Sequence, residues 1–312
     1  MALQFPEPLK QGDRIGMVAP ASPFDMNRFY RGIEVVRRMG FEPVYTDRIF
    51  HKNGYFAGSP QERAREIHDF FASPEIRALW AVRGGYGSLR LLPEIDYGII
   101  SKTPKIFIGC SDITALLITL HSRCAVPVFH GPVVVSLADA DTDTIEGLTR
   151  AVGDLGPFAV KALNGRVIRE GRAEGPVIGG NLATLCHLLA TPYAPDFTGC
   201  ILFVEDTGEK PYRIDRMLTQ MKLAGCFDGV AGIAAGSFKD CGPSGEVERV
   251  FADLFSDSPF PVIAGFPAGH GIPNITLPFG IPATLESSSL ILSYHGNAPP
   301  HRAEDSRGGG GI

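Results

Sequence analysis

Lys105-Ile106-Phe107-Ile108-Gly109-Cys110-Ser111-Asp112-Ile113-Thr114-Ala115-Leu116 decides how the rest of this chain is read. Lys105–Ile108 has the apolar, non-alternating character of a strand covered on both faces. Ile113–His121 has helical character. The turn between them holds Gly109, Cys110, Ser111 and Asp112. A strand, a tight turn and a helix in immediate succession form the unit of open parallel α/β sheets.

The same unit recurs upstream. Arg14–Ala19 reads as a strand and Pro20–Pro23 as a loop. Asn27–Met39 reads as a helix closed by Gly40. Phe41–Tyr45 is a strand, Pro60–Phe71 a helix, and Ile76–Val82 a strand running into Arg83-Gly84-Gly85-Tyr86-Gly87. Val126–Phe129 is a further strand, followed by His130-Gly131-Pro132. The expectation is an α/β fold with an open, largely parallel sheet over residues 1–145. Ligands of such sheets bind at the carboxyl ends of the strands. Composition turns acidic and polar near Asp139, so a linker is expected at 146–165. Beyond it, a mixed second domain is expected over 166–298. Its helices are Leu182–Ala190 and Tyr212–Ala224. Its strands include Cys200–Glu205, Gly229–Ala235, Pro261–Ala264, Ile275–Pro278, Ala283–Leu285 and Leu290–Ser293. Residues 299–312 are polar and Gly-rich and read as a frayed tail.

Composition narrows the function classes. Gly (37) and Pro (25) make up about a fifth of the 312 residues, against the ~12% of an average protein. The 44% apolar fraction, with 20 Phe, argues for a packed core rather than disorder. A formal charge of −5 without a basic block gives no support to a nucleic-acid partner. No run approaches the ~20 apolar residues of a membrane span, so no membrane association is expected. Met1–Lys10 lacks the order of a signal peptide. The six cysteines form no CxxC and read as reduced thiols of a cytosolic protein.

Four segments carry groups that chemistry could use. Glycines beyond a strand, as in Gly84-Gly85-Tyr86-Gly87, let backbone N–H groups face a phosphate or an oxyanion. A plain tight turn explains them equally well, and the segment has neither GxGxxG spacing nor P-loop residues. Ser111 sits where a nucleophile elbow would project a hydroxyl into a cleft, although GCSD is not GxSxG. The competing reading is a helix cap by Ser111 or Asp112. Glu205-Asp206 closes an apolar strand, as an orienting carboxylate or as loop acids. His270 lies between Gly269 and Gly271 and is free to approach another group closely. His130 is a candidate binding residue at a strand end. A serine nucleophile needs a base and a carboxylate to hold that base. Ser111, His270 and Glu205 supply those types. Cys110 has no separately motivated partner as a nucleophile. No HExxH, His/Cys cluster or Ca²⁺ loop is present, so neither a metal nor another cofactor is expected.

These segments, taken in order, resemble a known family over nearly the whole chain. They are Gly12-Asp13, Ala19-Pro20, Arg83–Gly87, Gly109–Leu116, His130–Pro132 and Gly179–Leu182. They continue through Phe203–Asp206 with Glu209, Tyr212, Asp215 and Arg216, then Gly269–Gly271, Pro273-Asn274 and Leu277–Gly280. The set resembles the LD-carboxypeptidases of bacterial peptidoglycan recycling, the muramoyltetrapeptide carboxypeptidase family. The resemblance implies a flavodoxin-like N-terminal domain, a β-rich C-terminal domain and a site between them. It implies a serine peptidase with Ser111 as nucleophile, Glu205 as acid and His270 as base. The oxyanion donors would be the N–H groups of Gly85 and Asp112. The substrate would be a murein tetrapeptide losing D-alanine, in the cytoplasm, with a homodimeric enzyme. Gly84 and His130 would line the substrate. Arg83 and Arg216 are candidates for its terminal carboxylate, and Arg216 equally suits a surface pair with Asp215 or Glu209. A related branch hydrolyses microcin C-type peptidyl-nucleotides with the same triad and an aromatic loop in the C-terminal domain. Trp80 lies well before that region, which favours murein peptide. A binding protein that has lost activity is the remaining alternative.

Overall fold

The computed structural model describes residues 3–296, except 155 and 244. The tail expected at 299–312 lies outside the described residues.

The N-terminal half runs β1 (Arg14–Val18), α1 (Met26–Arg38), β2 (Glu42–Val44), α2 (Pro60–Ala72), β3 (Ile76–Ala81), α3 (Tyr97–Lys102), β4 (Ile106–Gly109), α4 (Thr114–Cys124) and β5 (Val128–His130). Its sheet has the order β2-β1-β3-β4-β5, all parallel. Period-2 alternation sends side chains into two different cores, which is why the strands read as unbroken apolar runs. Ile15, Met17, Trp80, Ile106 and Ile108 pack with Phe29, Ile33 and Val36 of α1. Leu79, Ala81 and Phe107 pack on the other face with Ile67 and Phe71 of α2 and Leu116 of α4. Local signals set the helix starts. Asp25 accepts from Arg28 N, and Ser59 with Glu62 forms a capping box at α2.

The chain continues through α5 (Thr142–Gly153), β6 (Phe158–Lys161), β7 (Arg166–Arg169), β8 (Arg172–Asn181), α6 (Leu182–Leu188), β9 (Ile201–Thr207), α7 (Pro211–Leu223), β10 (Gly232–Lys239), α8 (Glu246–Phe255), β11 (Val262–Ala264), β12 (Leu277–Phe279), β13 (Pro282–Glu286) and β14 (Ile291–Tyr294). The second sheet has the order β6-β14-β13-β8-β9-β10-β11-β7. Its centre, β8 to β11, is parallel, and antiparallel strands flank it. The protein is therefore α/β, with a parallel sheet followed by a β-rich mixed one. Among the described residues no helix is long and apolar enough to cross a membrane.

Two departures from the sequence reading bear on the site. The stretch expected as a linker, 146–165, holds most of α5 and all of β6. The acidic residues that suggested a loop start a helix instead, since Asp141 accepts from Thr144 N at 3.0 Å. Leu148, Ala151 and Val152 then bury its inner face. The second departure is β12, which joins the first sheet antiparallel to β5, with Leu277 opposite His130 and Phe279 opposite Val128.

A buried carboxylate marks the N-terminal half. Glu66 of α2 accepts from Thr46 Oγ1 at 2.9 Å and from Ala19 N at 3.5 Å. Burial, opposed by these bonds, raises its pKa from 4.5 to about 7. A carboxyl whose pKa is raised on folding stabilises the native state below its unfolded pKa, and that stability is lost as pH rises through the folded value. Glu66→Gln should therefore gain roughly 3 kcal/mol over wild type between pH 4.5 and pH 8. Urea unfolding at the two pH values checks this, and an equal gap at both would contradict it.

Candidate active site

The carboxyl ends of strands from both sheets meet at one cleft of about 500 Å³. The first sheet contributes Arg83, Gly84 and Gly85 after β3, and Cys110 and Ser111 after β4. The second contributes Lys239 at the end of β10 and Gly269, His270 and Gly271 from the loop after β11. Glu205, near the end of β9, lies beneath this surface and is wholly buried.

His270 Nδ1 lies 2.7 Å from Glu205 Oε2, linking the carboxylate of β9 to a histidine 65 residues further along. Burial pulls the His270 pKa down. The hydrogen bond and charge of Glu205, with the charge of Asp206, outweigh it, and the net direction is up. The carboxylate also fixes the ring tautomer, since Nδ1 carries the proton facing it and Nε2 is left as the basic nitrogen. Ser111 has φ +63°, a left-handed conformation that a side chain other than glycine seldom adopts. It opens a short 3₁₀ turn, Ser111–Ile113, between β4 and α4. Neither Ser111 nor Asp112 caps α4, whose N-terminus has no side-chain cap. Ser111 itself lines the cleft. No hydrogen bond links Ser111 to His270 among the described residues. Such bonds are often long in substrate-free sites and tighten in the complex.

Gly84 approaches the serine closely, and a Cβ there would stand 2.7 Å from Ser111 Cβ. The glycine loop is braced by Ser22, whose Oγ accepts from Tyr86 N at 3.0 Å. Gly85 lines the cleft beside Ser111. The Asp112 backbone follows the serine directly, while its buried carboxylate turns inward to accept from Ser88 N at 2.8 Å. Burial raises the Asp112 pKa against the pull of that bond and of Arg63. Burial, then the charge of Glu205, pushes the Cys110 thiol up to about 12. Cys110 is thus a protonated thiol at neutral pH, and the thiolate is the form that attacks.

Two expected binding residues are placed elsewhere. His130 is wholly buried, with its ring 5.1 Å from that of Phe203 and 5.4 Å from that of Phe279, and it does not line the cleft. A strand-end position suggested access, but the arrival of β12 beside β5 closes it over. Arg216 lies on α7 with its guanidinium over the Tyr212 ring at 5.5 Å, and it does not line the cleft. Arg83 does line the cleft, and its guanidinium donates to Pro23 O. Residues to which the sequence assigned no role also line it: Arg28, Asp139, Lys239 and Asn274. Arg28 Nη2 pairs with Asp139 Oδ2 at 2.7 Å. Asn274 Oδ1 accepts from Gly269 N at 2.9 Å, and Asn274 N donates to Thr144 Oγ1 at 2.9 Å. No local pattern marks these partners, because each lies on a different element.

Residues 15–131 match the LD-carboxypeptidase N-terminal domain and residues 174–285 the LD-carboxypeptidase C-terminal domain. The chain belongs to the LD-carboxypeptidase family and is a peptidase of the serine type. It is 34% identical over 301 residues to the probable murein peptide carboxypeptidase of Bacillus subtilis (strain 168), covering 91% of this chain and 92% of that protein. It is 32% identical over 296 residues to the murein tetrapeptide carboxypeptidase of Pseudomonas aeruginosa, covering 89% and 94%. The fold superposes with a TM-score of 0.87 on the solved structure of MccF in complex with glutamyl sulfamoyl guanosine, at 28% identity, covering 93% of this chain and 98% of that one.

Gly269 has φ +117°, and a Cβ there would stand 2.5 Å from Glu205 Oε2. Gly269→Ala should displace the histidine loop and lower peptidase kcat by about 10²-fold, the cost of a displacement near 1 Å. Steady-state kinetics with circular dichroism as a folding control check this. A folded, fully active variant would show that the Gly269 contact does not set the His270 position.

Proposed function

We propose that the protein hydrolyses the amide between an L-diamino acid and the terminal D-alanine of murein tetrapeptides, using Ser111, His270 and Glu205. The observation that carries this reading is the 2.7 Å His270–Glu205 bond at a cleft that Ser111 also lines. The closing of the Ser111–His270 gap belongs to substrate binding. His270 Nε2 takes the Ser111 Oγ proton, and Oγ attacks the carbonyl carbon. Charge gathers on the carbonyl oxygen, toward the N–H groups of Gly85 and Asp112. The amide C–N bond breaks, and the proton on Nε2 passes to the leaving amine of D-alanine. A water, deprotonated by Nε2, then attacks the acyl-enzyme ester and frees the shortened peptide and Ser111. Glu205 holds the imidazole throughout.

Arg28, Arg83 and Lys239 outnumber Asp139 around the cleft, which suits a substrate ending in a carboxylate. Arg83, next to Gly84 and nearest the serine in sequence among these cations, is assigned to that carboxylate. The nucleophile belongs to the N-terminal domain, and the acid and base to the C-terminal one. Free thiols at all six cysteines support a reducing compartment, the cytoplasm, and homodimerisation is carried over from the family resemblance. A second reading, hydrolysis of an aminoacyl sulfamoyl nucleotide, is favoured by the likeness to MccF bound to glutamyl sulfamoyl guanosine.

Ser111→Ala should lower D-alanine release from murein tetrapeptide by at least about 10³-fold. Unchanged release would sink the assigned nucleophile. Wild type that releases no D-alanine but cleaves glutamyl sulfamoyl guanosine would establish the second reading. Because His270 must be neutral to act as base, the acid limb of kcat/KM should lie above the ~6.5 of an ordinary histidine. Glu205→Gln should move that limb to lower pH while reducing kcat, and a limb that stays in place would remove Glu205 from the role.

A further inference from the structure

Behind the Glu205–His270 pair lie polar atoms that the mechanism leaves unused. Glu205 Oε2 meets His270, but Oε1 is buried and has no hydrogen-bond partner among the described residues. His130 is wholly buried, and both of its ring nitrogens lack a partner among the described residues. Thr276 Oγ1 is in the same condition. Buried polar groups in native proteins are nearly always satisfied, by protein or by ordered water.

The topology brings His130 and Glu205 together. His130 ends β5 opposite Leu277 of β12, while Thr276, one residue before Leu277, leaves the other face of the sheet, against Gly131. Phe203 and Glu205 are two residues apart on β9 and leave the same face of the strand. Since the Phe203 ring packs on the His130 ring, Glu205 follows beside it. The charges of Glu205 and His270 both act on the His130 ring. Phe or Leu would fill the space between Phe203 and Phe279 without burying two polar nitrogens.

We propose that His130 is a positioning residue for the acid–base pair: its neutral imidazole donates an N–H to a bound water, and that water donates to Glu205 Oε1. The carboxylate is thereby held so that Oε2 stays on His270 Nδ1. This inference rests on the Glu205–His270 reading given above. Burial, opposed by the charge of Glu205, lowers the His130 pKa to about 4, so the ring stays neutral across the working range. The titratable groups facing His130 are Glu205 and His270, and those facing His270 are Glu205, Asp206 and Lys239.

H130F fills the space without polar atoms, and H130Q restores a donor and an acceptor. H130F should lower kcat by about 10-fold or more, as loss of a supporting partner does, with KM within about 2-fold. The acid limb of kcat/KM should move to lower pH, and H130Q should recover most of kcat and the limb. Wild-type kcat and acid limb in H130F would overturn the proposal. So would equal losses in both variants that track a fall in thermal midpoint, which is the behaviour of a packing residue. Nitrogen-15 NMR of histidine-labelled wild type gives a reading that needs neither variant nor substrate. His130 should remain one neutral tautomer with an exchange-protected N–H from pH 5 to 9, and titration near ~6.5 would overturn the proposal. If wild type released no D-alanine, the proposed function would fail while the NMR spectrum still decided the state of His130.

Discussion

Three residues of backbone pairing hold the site together. Strand β11 ends in the second sheet at Ala264, and β12 begins in the first sheet at Leu277. The loop between them must therefore cross from one sheet to the other, and His270 sits within it. Pairing of Leu277–Phe279 with β5 pins one end of that loop to the sheet that carries Ser111. Asn274 pins its middle, through Gly269 N on one side and Thr144 of α5 on the other. Thr114, three residues after the serine, accepts from Asn181 N at 3.0 Å and ties α4 to the end of β8. Ser111 and His270 thus lie on elements tied to one another by backbone pairing and buried hydrogen bonds.

The electrostatics follow from the same closure. Bringing two sheets together buries carboxylates, and a buried charge is tolerated only with fixed partners. Glu205 has the His270 ring. Asp206 accepts from Asn181 Nδ2, Ala183 N and Thr207 N at 2.8–3.0 Å, and burial still raises its pKa to about 6. Asp112 has the Ser88 N–H. Each carboxylate consequently has a structural as well as an electrostatic part. Glu205 orients a ring, Asp206 holds the turn from β8 into α6, and Asp112 secures the loop after β3.

Much of the first sheet was legible because strand and helix periods differ and the helix starts carry local caps, as at Ser59 and Asp25. The second half was read less completely. Helix α5 was hidden by an acidic run that caps it rather than loosening it. Helix α8 was overlooked although Val247, Phe251 and Phe255 recur every four residues on its buried side. For the site, residue types and strand-end positions nominated Ser111, Glu205 and His270, but they left cap against nucleophile open at Ser111. The uncapped start of α4 removes the cap reading.

By itself, the sequence determined the alternation of strands and helices, the glycine loops beyond β3 and β4, and the chemical types available at the strand ends. All of these are local, since periodicity, turn chemistry and side-chain identity act within a few residues. Only the tertiary structure decided which oxygen of Glu205 meets which nitrogen of His270, that His130 is sealed between Phe203 and Phe279, and that Arg216 does not line the cleft. Those outcomes depend on the order of strands in two sheets and on the passage of β12 from one to the other. They are set by pairings and contacts between distant residues, 65 positions apart for Glu205 and His270, which no local pattern in the chain encodes.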